Sequence, residues 1–495
     1  MRQLHSKKTA TAIAILLLTI ILVPFIQSSI AQNNDQDTHL TRALEWVTKS
    51  KMIVDNPSDP LYNNTFPPKG GVYFVYDSNK SQLGKTIHVP AAAEYVRLCS
   101  DLYQGGYEPA VIDRLRIVAD FLMASTTKIN LDATALTVVA TIWQYTQGKG
   151  WNPTTEEYYT RDILNVAQAL IQAYQVTKNE GYASKAKELL NAAVSLQTMM
   201  EKKILQGELP DWTAGAFPWI MYNYEGGSNY DATIKDLDLT LTDVAWGALT
   251  LGYNQDGNNQ YLQCRDKYFG FVLTAYQRDQ NVIRYPYQFI SNRASPALYF
   301  ANYDAVNKEW GPLDPFTTDS AFYQITGLLE NENATIKALG DKFLNEISLL
   351  QQGAFFEDSY YTNGEPVGYG QAIIATGQLL TILKLKQNQT GQNENINAIF
   401  SLQLYDTTNV GTIIYNGAWD WSPSSTLVES MATIIVIHSL IITPEMIPKT
   451  NAPHTNPQFP IQTIIVVIAA IIIALALTAY YLIRKRKTKA HQDTA

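Results

Sequence analysis

The chain is poor in the residues that most metal and nucleophile chemistry needs. It has two cysteines and six histidines in 495 residues. Only His39, His88, His438 and His454 lie between the two terminal segments, and they are scattered. That argues against a histidine-built metal site and against a Ser-His triad. There is no Gly-x-x-x-x-Gly-Lys-Ser/Thr phosphate loop, no Gly-x-Ser-x-Gly elbow and no His-Glu-x-x-His. These lacks remove the common nucleotide, esterase and zinc-protease readings, and no metal or cofactor is implied. Cys99 and Cys264 each sit in a helical pattern. They either pair, if the body is outside the cell, or are two buried thiols, and both readings stay open.

Charge is scarce as well, at 17% of residues, and it is unevenly placed. Arg2, Lys7 and Lys8 precede an apolar run from Ala10 to Ile26, followed by small residues at Ser29 and Ala31. That pattern predicts a signal peptide over 1–31, with an uncleaved anchor as the alternative. Ile464 to Ile483 is uncharged and spans roughly 30 Å as a helix, the thickness of a bilayer core. Arg484, Lys485, Arg486, Lys487 and Lys489 follow at once, which puts residues 484–495 in the cytoplasm. The chain therefore reads as a single-pass type I protein of the cell membrane. It has a transmembrane helix over 461–483 and an extracellular body over 32–442. Pro444, Pro448, Pro453, Pro457 and Pro460 mark residues 443–460 as a stiff stalk. The terminal segments carry +3 and +4, which leaves −15 for the body out of a net −8. So acidic a body argues against nucleic acid as a partner. Four Asn-x-Ser/Thr tripeptides, at Asn63, Asn79, Asn333 and Asn388, agree with exposure outside the cell.

The body is dominated by helical periodicity. Helices are predicted near 39–53, 88–104, 109–126, 131–147, 157–178, 181–203, 239–254 and 259–279. More follow near 317–330, 333–352, 367–387 and 424–442. Asn254 to Asn258 faintly resembles a calcium loop, but its acid spacing reads better as a tight helix-hairpin turn.

Two phrases recur. An acid opens an apolar helix at Asp132, Asp243 and Asp319. A glycine-alanine-aromatic phrase stands at Gly215-Ala216-Phe217, Gly353-Ala354-Phe355 and Gly417-Ala418-Trp419, with Gly70-Gly71-Val72-Tyr73 as a looser relative. Such repetition reads as stacked loop-and-helix units with their loops gathered at one end. An all-α (α/α) toroid accommodates this pattern, although the inner and outer alternation slips between 131 and 181. An open α-solenoid is the alternative.

Over about residues 39–442 this pattern resembles the six-hairpin glycosidase-like superfamily. The resemblance implies a glycan-processing enzyme acting on a glycan or cell-surface polysaccharide. Glycoside cleavage needs one carboxylic acid to protonate the leaving oxygen and a second to activate water or attack. The candidate catalytic residues are Asp243, Asp319 and Asp420, with Glu429 a further acid at the mouth. Trp212, Trp219, Trp310, Trp419 and Trp421 are candidate platforms for sugar rings. Trp246, in mid-helix, reads as core. Each Asp at a helix start can equally be a plain N-cap, worth about 1 kcal/mol. The alternatives are a non-catalytic surface protein that binds carbohydrate or protein, and a uronate lyase or epimerase-like enzyme. The last would use Tyr or His bases with Arg or Lys to hold a carboxylate.

Overall fold

The computed structural model describes residues 38–450, apart from 63–64, 79, 81, 108–109, 223–228, 233–235, 283–300, 305–308, 313–315, 352, 361–365, 369–370, 405–416 and 421–424. The segments expected to be a signal peptide, a transmembrane helix and a cytoplasmic tail lie outside the described residues. Among those described, no helix is long and apolar enough to cross a membrane.

Six helices form a closed inner ring. They are α2 (Val89–Gln104), α4 (Thr160–Thr177), α6 (Thr242–Asp256), α8 (Thr318–Glu330), α10 (Ile373–Leu385) and α12 (Ser430–Ile441). Each packs on the next, and α12 returns to pack on α2. An outer helix follows each of the first five and folds back on it. These are α3 (Ala110–Ala124), α5 (Glu180–Leu205), α7 (Asn259–Val282), α9 (Ala334–Ile347) and α11 (Gln389–Ser401). The remaining outer place is taken by α1, residues 38–49. The Tyr95 hydroxyl on α2 donates to Val47 O at 2.5 Å, and Arg114 on α3 donates to Ser50 O at 2.9 Å. The (α/α) toroid is therefore the observed architecture.

Local chemistry separates the two rings. Outer helices α5, α9 and α11 are N-capped by Asn179, Asn333 and Asn388, whose side chains accept from Gly181, Thr335 and Gly391 N–H. The Asn254–Asn258 turn joins α6 to α7 through Gly257 at φ 71, a helix hairpin rather than a cation loop. Inner helices are buried on nearly all sides, as a ring between two layers requires. The first and last of them meet at a buried pair, His438 Nε2 to Asp101 Oδ2 at 2.7 Å. Cys99 and Cys264 are both free and buried.

Two expectations need correction. Residues 131–147 are not a helix. Thr126–Leu131 and Thr134–Val139 form an antiparallel hairpin, and Ile142–Thr146 starts another with Gly150–Pro153. Asp132 and Ala133 turn the first hairpin at φ 48 and φ 61, the left-handed pair of a two-residue turn. Threonine, valine and isoleucine dominate these strands, and their stiff side chains favour the pleat over the helix. The body is also not purely helical. Short strands lead directly into α2, α4, α8 and α12, and another is separated from α6 by four residues, forming a rim at one end of the ring.

The glycine-alanine-aromatic phrases are structural. Gly215 and Gly417 sit at φ 92 and φ 85. A Cβ there would lie 2.2 Å from Lys267 O on α7 and 2.1 Å from Arg42 O on α1. Each phrase thus lays bare backbone against an outer helix and buries the residues that follow, Ala216 and Phe217 or Ala418 and Trp419. Gly353, at φ 65, has open space instead. Urea unfolding should show Gly353→Ala costing about 1–2 kcal/mol, the price of left-handed backbone alone. Gly215→Ala and Gly417→Ala should each cost clearly more than that.

Candidate active site

All six inner helices start at the same end, and a helix start leaves unpaired N–H groups. The rim strands answer this. At the first position of α4, Thr160 N donates to Trp219 O at 3.2 Å and its hydroxyl to Pro218 O at 2.5 Å. Thr318 on α8 binds Asp358 O through N at 2.8 Å and Glu357 O through its hydroxyl at 2.8 Å. Ser430 on α12 binds Phe74 O through N at 3.0 Å and through its hydroxyl at 3.3 Å. The clamped residue fixes the next one. Second positions are therefore equivalent around the ring: Pro90, Arg161, Asp243, Asp319, Ile374 and Met431.

Five of them, Pro90, Arg161, Asp319, Ile374 and Met431, line a cavity of about 400 Å³ at the mouth, and Asp243 is not among its lining residues. The cap position before α2 adds His88, that before α4 adds Tyr159 and that before α12 adds Glu429. Trp219 and Tyr159 form an aromatic corner, edge to face at 6.0 Å between ring centres. Trp219 is 38% exposed, so its face is open to a ligand. Phe74 packs on His88 at 4.8 Å.

The acids near the helix starts differ sharply. Asp243 is held by Arg161, which donates to its two oxygens at 3.2 and 2.8 Å and to Thr240 O at 3.0 Å. The same guanidinium lies 4.0 Å above the Tyr323 ring. Asp243 is thus half of a closed ion pair in the floor. Asp319 occupies the same slot on the next helix and has no ion-pair partner among the described residues. Among these its carboxylate accepts the adjacent Ser320 N–H at 2.7 Å, together with a long contact to the Ser320 hydroxyl at 3.5 Å. Glu429 stands at a cap position yet makes no capping bond with its side chain. Burial, then the charges of Asp319 and Asp358, push Glu429 up to about 8. Burial also lifts Asp162 to about 6, opposed by the Thr141 hydroxyl at 2.6 Å. Asp238 is raised by burial while it accepts from Thr240 N and Oγ1 at 2.6 and 2.7 Å. Burial drives His88 down to about 4, so its imidazole is neutral at neutral pH. His88 Nδ1 and the Tyr323 hydroxyl have no protein hydrogen-bond partner among the described residues.

The candidates named from sequence scatter on this map. Asp319 and Trp219 line the cavity, whereas Asp243 is not among its lining residues and is paired with Arg161. Asp420 is not among the lining residues. It is raised to about 6 by burial, pairs in strand register with Val428, and leaves Oδ1 unpaired. Asp132 is in the hairpin turn, far along the chain from any helix start. Trp419 is fully buried, its indole N–H donating to Ile399 O at 2.8 Å, and offers no face to a ligand. Trp212 stacks on Phe271 of α7 at 6.3 Å. Trp310 pairs with Tyr303 between two short strands, and its side chain lies outside the described residues, as does Trp421. Trp246 is core, with its N–H on Pro448 O at 3.0 Å. His88, Arg161, Asp162, Asp238 and Tyr323 were not singled out from sequence. A usable signal existed: Arg161, Asp243, Asp319 and Glu429 each adjoin the Thr or Ser that begins an inner helix.

No protein-family model and no curated protein matches the sequence. Solved structures do match in fold. One is cellobiose 2-epimerase from Bacillus thermoamylovorans B4167, 12% identical, with 82% of this chain and 99% of that chain covered at a TM-score of 0.52. D-mannose isomerase is 9% identical over 82% of this chain and 97% of that chain, at 0.52. An unsaturated glucuronyl hydrolase specific for heparin is 9% identical over 82% of this chain and 96% of that chain, at 0.51. Together with the closed ring described above, these neighbours show that the chain has the (α/α) toroid fold.

The two equivalent aspartates should respond oppositely to amidation. Asp243→Asn leaves Arg161 buried without its counter-charge and should lower stability by about 3 kcal/mol. Asp319→Asn keeps an acceptor for Ser320 N–H and should change it by less than about 1 kcal/mol. Chemical denaturation of the two variants checks this.

Proposed function

We propose that this chain is a carbohydrate-processing enzyme, and that it cleaves glycosidic bonds with Glu429 and Asp319. The observation that carries this reading is the pairing of two unlike carboxyl groups at the mouth. Glu429 stays protonated at neutral pH because it is buried beside the Asp319 charge. It can give its proton to a leaving glycosidic oxygen. The Asp319 carboxylate is the second group, activating water or attacking the sugar carbon. Trp219 and Tyr159 offer an apolar corner for a sugar ring, while Asp162 and Asp238 accept hydrogen bonds from hydroxyls. Arg161 is occupied by Asp243, which disfavours a uronate as the group bound there. The apolar run at 464–483 with its basic flank supports a membrane-anchored enzyme with the body outside the cell.

A second reading has its own support. His88 is neutral, partly buried and unpaired at Nδ1 in the same cavity. Such an imidazole can remove a proton beside a sugar carbonyl, which is epimerase or isomerase chemistry. The products separate the two. Hydrolysis releases new reducing ends, whereas isomerisation in D₂O leaves deuterium on the sugar carbon.

The test is turnover on an oligosaccharide panel, with pH profiles. Glu429→Gln and Asp319→Asn should each cut the rate by about 10²-fold or more while the fold persists. An acid must be protonated to work, so activity should fall as pH rises through about 8. Removing the Asp319 charge makes an ionised Glu429 cheaper. Any residual activity of Asp319→Asn should therefore lose its alkaline limb at lower pH than the parent. Full activity in Glu429→Gln would end the hydrolase reading.

A further inference from the structure

The inward faces of α2, α4 and α10 continue below the cavity, and they carry polar side chains. A helix repeats one face at steps of four and three residues. From Pro90, these steps on α2 reach Glu94, Arg97 and Asp101. From Arg161, on α4, they reach Asn165, Gln168 and Gln172. From Ile374, on α10, the first step reaches Gln378. Apart from Arg97, each of these side chains is at most 7% exposed.

Some of their needs are met. Arg97 binds Glu94 at 2.8 Å. Against the cost of burial, Glu94, Asp243, Asp101 and Glu330 together hold it charged, so carboxyls of three helices surround it. At the end away from the mouth, Asp101 takes His438 at 2.7 Å and Gln172 Nε2 at 3.5 Å. Other needs are unmet. Among the described residues, Asn165 Oδ1, Gln168 Oε1, Gln172 Oε1 and Arg97 Nε have no protein partner, nor does either amide atom of Gln378. The Tyr323 hydroxyl, at the cavity floor, is unpaired too. Native proteins pair nearly all buried polar atoms, with protein or with water. By helical register the unpaired acceptors and donors fall on the faces that continue below the cavity, and a single small species serves both.

We propose that the toroid axis below the cavity is a water-filled shaft, running from Tyr323 at the floor to the Asp101–His438 pair at the opposite end. Its ligand is water, held by the side-chain amides of α4 and α10 and by Arg97. If the hydrolase reading holds, the shaft keeps water at the cavity floor when a glycan closes the mouth.

The discriminating variant is Gln378→Met in the full chain, similar in length and without polar atoms. In a dry core it removes two unpaired polar atoms and raises Tm. In a hydrated shaft it strips partners from bound water and lowers Tm, which is the expected result. A high-resolution crystal structure of the unaltered chain should also show ordered water within hydrogen-bond distance of Gln378 and Gln168 Oε1. An unchanged or raised Tm, or ordered side chains with no water between them, would overturn the proposal. Neither readout depends on turnover, so a failed hydrolase assay leaves this result standing on its own.

Discussion

Everything at the mouth depends on how the inner helices begin. Six helix starts face the same way, and each carries a partial positive charge of roughly half a unit with unpaired N–H groups. The rim strands take up those groups at Thr160, Thr318 and Ser430 through backbone and hydroxyl bonds. Once the first residue of a helix is clamped, the second is aimed at the axis and the cap residue at the wall. The glycine phrases hold the strands in turn, because bare backbone at Gly215 and Gly417 lets them lie against outer helices. A site built this way sits on rigid elements, as precise acid–base chemistry requires.

The same slot then yields different chemistry according to its neighbour. Arg161, Asp243 and Asp319 hold equivalent places on three successive inner helices. Arg161 and Asp243 face each other and neutralise, which turns both into floor. Among the described residues Asp319 has no cation beside it, and its charge falls on Glu429 instead. Burial alone disfavours an ionised glutamate, and a nearby negative charge adds to that effect. A proton donor and a carboxylate are thus produced from two ordinary acids by placement.

Much of this was legible in the sequence, and the failures have physical causes. The closed ring follows from helical periodicity plus two recurring phrases, and Asp243 and Asp319 were matched as openings of successive units. The slip in alternation between 131 and 181 is the double hairpin at 126–153, whose apolar residues happen to fall at helical spacing. Asp132 shares its local wording with the true helix starts but lies in a left-handed turn. Trp419 ends a glycine phrase in a loop, which suggests a platform for a sugar ring, whereas the phrase docks its aromatic inward. The Arg161–Asp243 pair joins residues on different helices, so no local pattern announces it. Glu429 was visible as a mouth acid, but the Asp319 and Asp358 charges that raise it lie far away in the chain.

The account's central claim is that a glycan enters the mouth and meets Glu429. The most direct measurement is a crystal structure of the full chain carrying Glu429→Gln with an oligosaccharide bound. The account predicts one sugar ring against Trp219 and a glycosidic oxygen within hydrogen-bond distance of the residue-429 amide. An oligosaccharide bound outside the mouth, or inside it with its glycosidic oxygen turned away from residue 429, would contradict it.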